Sequence, residues 1–541
     1  MKYVLITVCI LTAGSTAIAQ RDTTRKPSVE IISTYKPVLR NASKIQFSGT
    51  HLAQDTSRRV APYQVPVQKL FYAYQPVPLN ALALDMDTTP DLGKRYYVKA
   101  GFGNLSTPYL KAAGVFGNGE THVVNLYADH VSSRGPIEHQ DFSKTAVQAK
   151  GTYFGEQFEL NATAGVALDR YHLYGYDHTL YQPAKGDVEQ YFQQFHVGAG
   201  IKNTRPGPYG IDYDPSIRVN HFSLAKQFTE TSFIINAPVE KKFSDELLVK
   251  FTANADITRY NPDGNLGEAA FTNSVIRLSP AVKYFASGAF IHAGLSPVWY
   301  NKTGTILPDV YFEVNLNDRF VLQGGWIGRI HKNTAGNLAQ MNPFIRGPFN
   351  GINTKETEFY GGIRTSVGSH FNIGAKVSWV QLSDALLFLN DTTAFTNHFI
   401  TGTEERLNNL RIHGNVSYIL QDKFTVNGSV TLNGFTGMKQ FSRAWNMLPL
   451  EISGSVRYQA MKKLQLKGDL YMFGGARSFD KNNGSFTMKG GTDLSFGASY
   501  DINKQFSVWM DVNNVLNDKY RRWNMYPVYG IQFLGGIIVH L

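Results

Sequence analysis

The 14 histidines are the first place to look for chemistry, and they are spread thinly. The stretches "DHTLY" (177–181) and "NHFI" (397–400) lack the spacing that puts two imidazoles on one metal. No HExxH, GxSxG or phosphate-cradling glycine loop occurs. Ser369-His370 falls in a tight turn, whereas a barrel hydrolase would need Ser and His on neighbouring strands at a rim. "NPDGN" (261–265) suits a turn better than a calcium loop. The sole cysteine, Cys9, lies in the apolar start of the chain. No catalytic, cofactor or metal-ligating set is assigned. Seven charges stand out instead, each alternating with apolar neighbours: Lys250, Asp256, Arg364, Lys376, Arg411, Lys467 and Asp469. On one face of a sheet they would solvate and cross-link a polar wall, or steer a charged solute along it.

Alternation is the pattern that must position them. In "KFTVNGSVTLNGF" (423–435), Phe424, Val426, Val430 and Leu432 share one parity, and Thr425, Asn427, Ser429 and Thr431 share the other. A strand sends successive side chains to opposite faces, so this one has an oily face and a wet face. "GNVSYILQDKFTVNG" (414–428) returns as "GSVRYQAMKKLQLKG" (454–468), "GASYDINKQFSVWMD" (497–511) and "GIRTSVGSHFNIGAK" (362–376). Each is a strand, a short turn and a strand. Tyr418, Phe424, Tyr458, Tyr500 and Phe506 gather near the turns, where an interfacial girdle would sit.

Ten such hairpins are expected between 108 and 515, with one strand before them (96–103) and one after (529–541). The connections 169–189, 331–356, 383–407 and 474–490 are read as long loops. Short turns at one end and long loops at the other is the asymmetry of outer-membrane barrels. A soluble propeller would repeat four strands at a time. The expected fold is all-β: a closed antiparallel transmembrane β-barrel of about 22 strands, with 18–22 as the range. Hydrocarbon leaves no backbone group unpaired, so the sheet must close, with the oily faces outward and the polar faces inward.

The rest of the chain fits that reading. "MKYVLITVCILTAGSTAIAQ" has a basic start, an apolar run and Ala17-Ile18-Ala19, the form of a secretory signal peptide over 1–19, cleaved after Ala19. It implies export and an outer-membrane location. Charged residues are 18% of the chain against 13% aromatic, which favours strands with aromatic belts over a helical enzyme. The net charge of +11 is scattered, so nucleic acid is not an expected partner. Residues 20–95 hold Pro62, Pro66, Pro76 and Pro78, which favour extended chain. Phe71, Tyr72, Tyr74 and Leu79 make that stretch apolar enough to lie in the bore or along its inner mouth.

The C-terminal stretch resembles the end of a TonB-dependent receptor barrel. Asn514-Val515-Leu516-Asn517, Tyr520, Tyr526-Pro527 and Gly530 carry the resemblance, which spans 96–541. It implies 22 strands, an outer-membrane lipid environment and insertion by the barrel-assembly machinery. In that family the last strand carries the insertion signal, here Phe533, Ile537, Val539 and Leu541 on one parity, ending in Leu rather than an aromatic. The family's full plug is longer than 20–95, so this chain resembles the short class without one. The stretch Val29, Glu30, Ile31, Ile32 and Ser33 resembles a strand-adding box for a periplasmic protein or TonB-type energy coupler. The implied function is a transport component, either a pore or part of an importer. The alternative is an assembly protein docking a periplasmic partner through 20–95. No enzyme activity and no cofactor are expected.

Overall fold

The computed structural model describes residues 95–541, apart from 208, 264–268, 369, 392, 422 and 481–483. The expected signal peptide, Val29–Ser33 and the extended segment up to residue 94 lie outside the described residues.

Twenty-two strands run round a closed ring in which each pairs antiparallel with the next in sequence. They are Tyr96–Gly103 (β1), Thr107–Gly117 (β2), His122–Arg134 (β3), Asp141–Phe154 (β4), Phe158–His172 (β5) and Glu189–Asn203 (β6). Next come Ser216–Leu224 (β7), Phe228–Lys242 (β8), Leu247–Pro262 (β9), Phe271–Ala286 (β10), Ala289–Tyr300 (β11) and Thr303–Asn315 (β12). Then follow Phe320–His331 (β13), Thr354–Val367 (β14), Phe371–Asn390 (β15), Phe399–Leu420 (β16) and Phe424–Thr436 (β17). Leu450–Met461 (β18), Leu464–Phe473 (β19), Gly491–Asp501 (β20), Phe506–Asn513 (β21) and Gln532–His540 (β22) complete the ring. The short piece Ile211–Tyr213 pairs with β8 beside the ring.

Closure is made by β1 against β22, with Tyr97 opposite His540 and Gly103 opposite Leu534. At this seam Gly101 faces Gly536, and the indole of Trp509 covers them. A Cβ on Gly101 would lie 2.4 Å from Trp509 Cζ2, and one on Gly536 would lie 1.9 Å from the Ala100 carbonyl oxygen. Gly101 thus lies beneath an aromatic ring. The two glycines let the indole and the neighbouring backbone approach closely.

The ring's two ends differ. At the end where β1 starts and β22 finishes the turns are mostly short, as at 287–288, 316–319 and 462–463. At the other end lie 173–188, 332–353, 437–449, 474–490 and 514–531. Every hairpin expected from alternation is present. One expected loop is not: most of 383–407 is strand, because β15 runs on to Asn390 and β16 starts at Phe399. Ala385, Leu386, Leu387 and Phe388 are all buried there. Both faces of that extension are covered, so it shows no period of two.

Outward side chains form the apolar belt. Phe371, Tyr418, Phe424 and Tyr458 make a row near the short turns, with ring centroids 4.4, 5.9 and 5.9 Å apart in sequence along the row. Trp326, Phe359 and Trp379 sit side by side on β13, β14 and β15 as a second row, all exposed. Phe371 and Trp379 are eight residues apart on one strand. At ~3.3 Å per residue that is about 26 Å along the tilted strand, the scale of a lipid-facing band.

Candidate functional site

Inside the ring, the polar faces carry charge in rows. The seven charges singled out in the sequence lie on the parity opposite the exposed apolar residues of their strands, Ile419 beside the turn after β16 excepted. Lys250 Nζ meets Glu240 Oε1 at 2.7 Å between β9 and β8. Lys376 Nζ meets Glu358 Oε1 at 2.6 Å between β15 and β14. Arg457 Nη2 meets Asp469 Oδ1 at 3.1 Å between β18 and β19. Two pairs skip a strand: Arg364 Nη2 reaches Glu313 Oε2 at 3.0 Å, and Lys467 Nζ reaches Asp511 Oδ1 at 2.9 Å. Asp256 accepts from Lys332 Nζ, which enters from the loop after β13. Arg411, almost wholly buried, lies within electrostatic range of Glu451. The wall is thus laced strand to strand, at about 0.2–1 kcal/mol for a cross-strand pair.

The wall is not uniformly polar. Near the seam, Tyr97, Tyr109, Val131, Phe142, Trp509, Leu534 and Ile538 pack as an inward apolar cluster. Alternation alone assigned β22 one oily face, but it has two. Phe533, Ile537, Val539 and Leu541 point outward, while Leu534 and Ile538 point inward. Lys99 Nζ sits 4.1 Å from the Trp509 ring centroid, which gives the cluster a cationic edge.

Four of these long loops, 173–188, 332–353, 437–449 and 514–531, turn inward over that end and share one apolar core. It joins Leu173, Tyr176 and Val188 with Leu338, Phe344, Ile345, Leu386, Phe388, Phe399, Trp445, Trp523 and Tyr526. The Phe344 and Tyr526 rings stack at 3.8 Å, and Tyr174 meets Tyr526 edge-on at 5.1 Å. Burial raises the phenols of Tyr174 and Tyr526 above their usual range, so both stay protonated donors. Tyr174 Oη donates to the Pro527 carbonyl at 2.9 Å, and Tyr526 Oη donates to the Thr396 carbonyl at 2.8 Å.

Ring position shows what these contacts do. Asn397 Nδ2, between β15 and β16, donates to the Gly175 carbonyl, between β5 and β6, at 2.7 Å. Those hairpins stand on nearly opposite sides of the ring, so the bond crosses the bore. Gln190 Nε2 at the start of β6 donates to the Ile345 carbonyl of the loop before β14 at 2.7 Å, another crossing.

Local chemistry holds each loop in place. The helix Ala335–Met341 (α1) is capped by Thr334, whose side chain accepts from Asn337 N at 3.1 Å. Glu230 of β8 accepts from Ala335 N at 2.8 Å. Its oxygen thus serves an N–H that the first turn of the helix leaves without an intrahelical partner. Glu404 accepts from the backbone N–H groups of Lys439, Gln440 and Phe441, pinning the loop 437–449. In 514–531, Asn514 and Asn517 take φ of 48° and 51°, a conformation asparagine tolerates. Asn514 Nδ2 donates to the Asp518 and Tyr529 carbonyls, both at 2.9 Å. The C-terminal motif seen in the sequence therefore folds this loop back over the bore.

This architecture is shared with known proteins. No family model and no curated protein sequence matches the chain. Solved structures do. The FrpB iron transporter from Neisseria meningitidis aligns at TM-score 0.64 and 11% identity, covering 83% of this chain and 82% of that one. The siderophore receptor PirA from Acinetobacter baumannii aligns at 0.63 and 10%, covering 83% and 80%. FpvAI, in a complex with pyocin S2, aligns at 0.63 and 12%, covering 83% and 73%. The fold is that of the TonB-dependent outer-membrane receptors.

Sequence reasoning missed the cap residues Gln190, Phe344, Arg346, Asn397, Arg522 and Trp523. Their partners are distant in sequence, and the only local signal was aromatic density in 171–181 and 520–529.

Proposed function

We propose that this chain is an outer-membrane transport component whose solute path is the bore and whose outer mouth is gated by the loop cap. The observation that carries the reading is the set of hydrogen bonds that cross the ring at one end, above a wall of paired charges. The similarity to the FrpB iron transporter and the siderophore receptor PirA makes iron chelates the first solutes to try. Val29–Ser33 is the candidate docking strand for a periplasmic protein or a TonB-type coupler. Pull-down of such a partner by the full chain, lost on Ile31→Pro, would support that part. A pull-down unaffected by Ile31→Pro would refute it.

Planar-bilayer recording tests the pore. The wild type should conduct only in brief events. Tyr526→Ala removes the ring that Phe344 and Tyr174 pack on, at about 3–5 kcal/mol for a buried aromatic. It should open the channel for seconds at a time. Equal silence from both proteins, with folded barrels shown by circular dichroism, would refute the transport reading. It would favour the assembly-protein alternative.

A further inference from the structure

Arg522 lies on the hairpin in which Arg521 pairs with Pro527, within the loop folded over the bore. It is 2% exposed. Its Nη1 donates to the Asn446 carbonyl at 3.2 Å, and its guanidinium stands 4.3 Å from the Trp523 ring centroid. Nε and Nη2 are buried and have no hydrogen-bond partner among the described residues. These two atoms form one edge of the guanidinium, the parallel fork that takes a carboxylate or phosphate with two hydrogen bonds. Trp523 Nε1 and Asn524 Nδ2, on the next two residues, are also buried donors without an acceptor among the described residues. A donor left unmade in this way costs about 1–3 kcal/mol, more when charged.

A second cation and a carboxylate stand nearby. Arg411 of β16 is a second buried guanidinium, and Glu451 of β18 is the carboxylate within electrostatic range of both. Glu451 already accepts from Tyr471 Oη at 3.1 Å. Burial brings the Arg522 guanidinium down to about 10, which leaves it charged at neutral pH.

We propose that the Nε–Nη2 edge of Arg522 is the receiving fork of a buried oxyanion site beneath the outer cap, taking one carboxylate or phosphate group of a solute. The site deepens the transport reading by naming the chemistry of the solute, and it is tested by binding alone. The full chain in detergent is titrated with inorganic phosphate, and separately with acetate, against chloride at equal ionic strength. Calorimetry and tryptophan fluorescence are the readouts, since Trp523 lies against the fork.

Phosphate or acetate should saturate where chloride does not. Arg522→Lys keeps the charge but loses the fork, and should weaken binding at least ~10-fold. Glu451→Gln removes the competing carboxylate and should tighten binding several-fold. Arg522→Gln should abolish it. If that variant does not fold, Arg522→Lys and Glu451→Gln carry the test. Titrations indistinguishable from chloride, or unchanged by Arg522→Lys, overturn the site and leave those donors to water. A conducting barrel without saturable binding refutes the site and spares the transport reading. Saturable binding in a silent barrel does the reverse.

Discussion

At the scale of single residues, His398 is the side chain most exposed to a change in pH. It ends the loop between β15 and β16, its Nδ1 2.9 Å from Thr396 Oγ1 and its Nε2 3.5 Å from Asp391 Oδ2. Burial holds its pKa down to about 4, helped by the Arg346 guanidinium and opposed by Asp391. A lowered histidine is neutral in the packed cap and takes up a proton once the cap opens. Its contribution is therefore complete above the free value of about 6.5 and is lost as pH falls from there toward 4. The largest possible loss is about 3 kcal/mol. Hydrogen exchange at Arg346 N and Phe399 N, which bond to the Phe399 and Phe344 carbonyls, reports on this packing. Protection, corrected for intrinsic rates, should fall between pH 6.5 and 4.5. His398→Gln should flatten that dependence. If the glutamine variant shows the same slope, another group is the trigger.

At the scale of elements, the seam between β1 and β22 sets a strict condition on sequence. A Cβ at Gly536 would meet the fixed Ala100 carbonyl, whereas one at Gly151 of β4 would touch only Val124 Cγ2 at 3.9 Å. Gly536→Val should abolish the compact, heat-sensitive band that folded barrels give on cold gels, while Gly151→Ala should keep it. Retention of the band by Gly536→Val would mean that the ring closes elsewhere.

The same elements show what the sequence made legible. Strands such as β17 and β18 each have one lipid-facing side, so period two marks them and their short turns. The extension over Ala385–Phe388 is covered on both sides and loses the period. The inward cluster at Leu534 and Ile538 hides for the same reason. The paired charges of the wall stand out as polar parity, but which charge meets which depends on register and on skipped strands. The cap was not legible, because Asn397 finds Gly175 only after the ring has closed.

At the scale of the whole molecule, two kinds of cohesion are stacked on one axis. The ring is held by backbone bonds that hydrocarbon makes obligatory, since an unpaired N–H or C=O there costs several kcal/mol. The cap is held by side chains: stacked rings, a few crossing hydrogen bonds and single carboxylates on loop amides. Parts held so differently should come apart separately. Trp445 and Trp523 lie in the cap core, whereas Trp299, Trp326 and Trp379 face outward from the wall. Heating the protein in detergent should first change the near-ultraviolet dichroism and red-shift part of the tryptophan emission, with the β-signal near 218 nm intact. The far-ultraviolet signal should go only at a clearly higher temperature. Trp523→Phe should reduce the amplitude of the first step, and Tyr526→Ala should lower its midpoint without moving the second. Coincident transitions by both probes would mean one cooperative unit. The outer loops would then be part of the barrel's own stability, and a gate that opens without disturbing the wall would be ruled out.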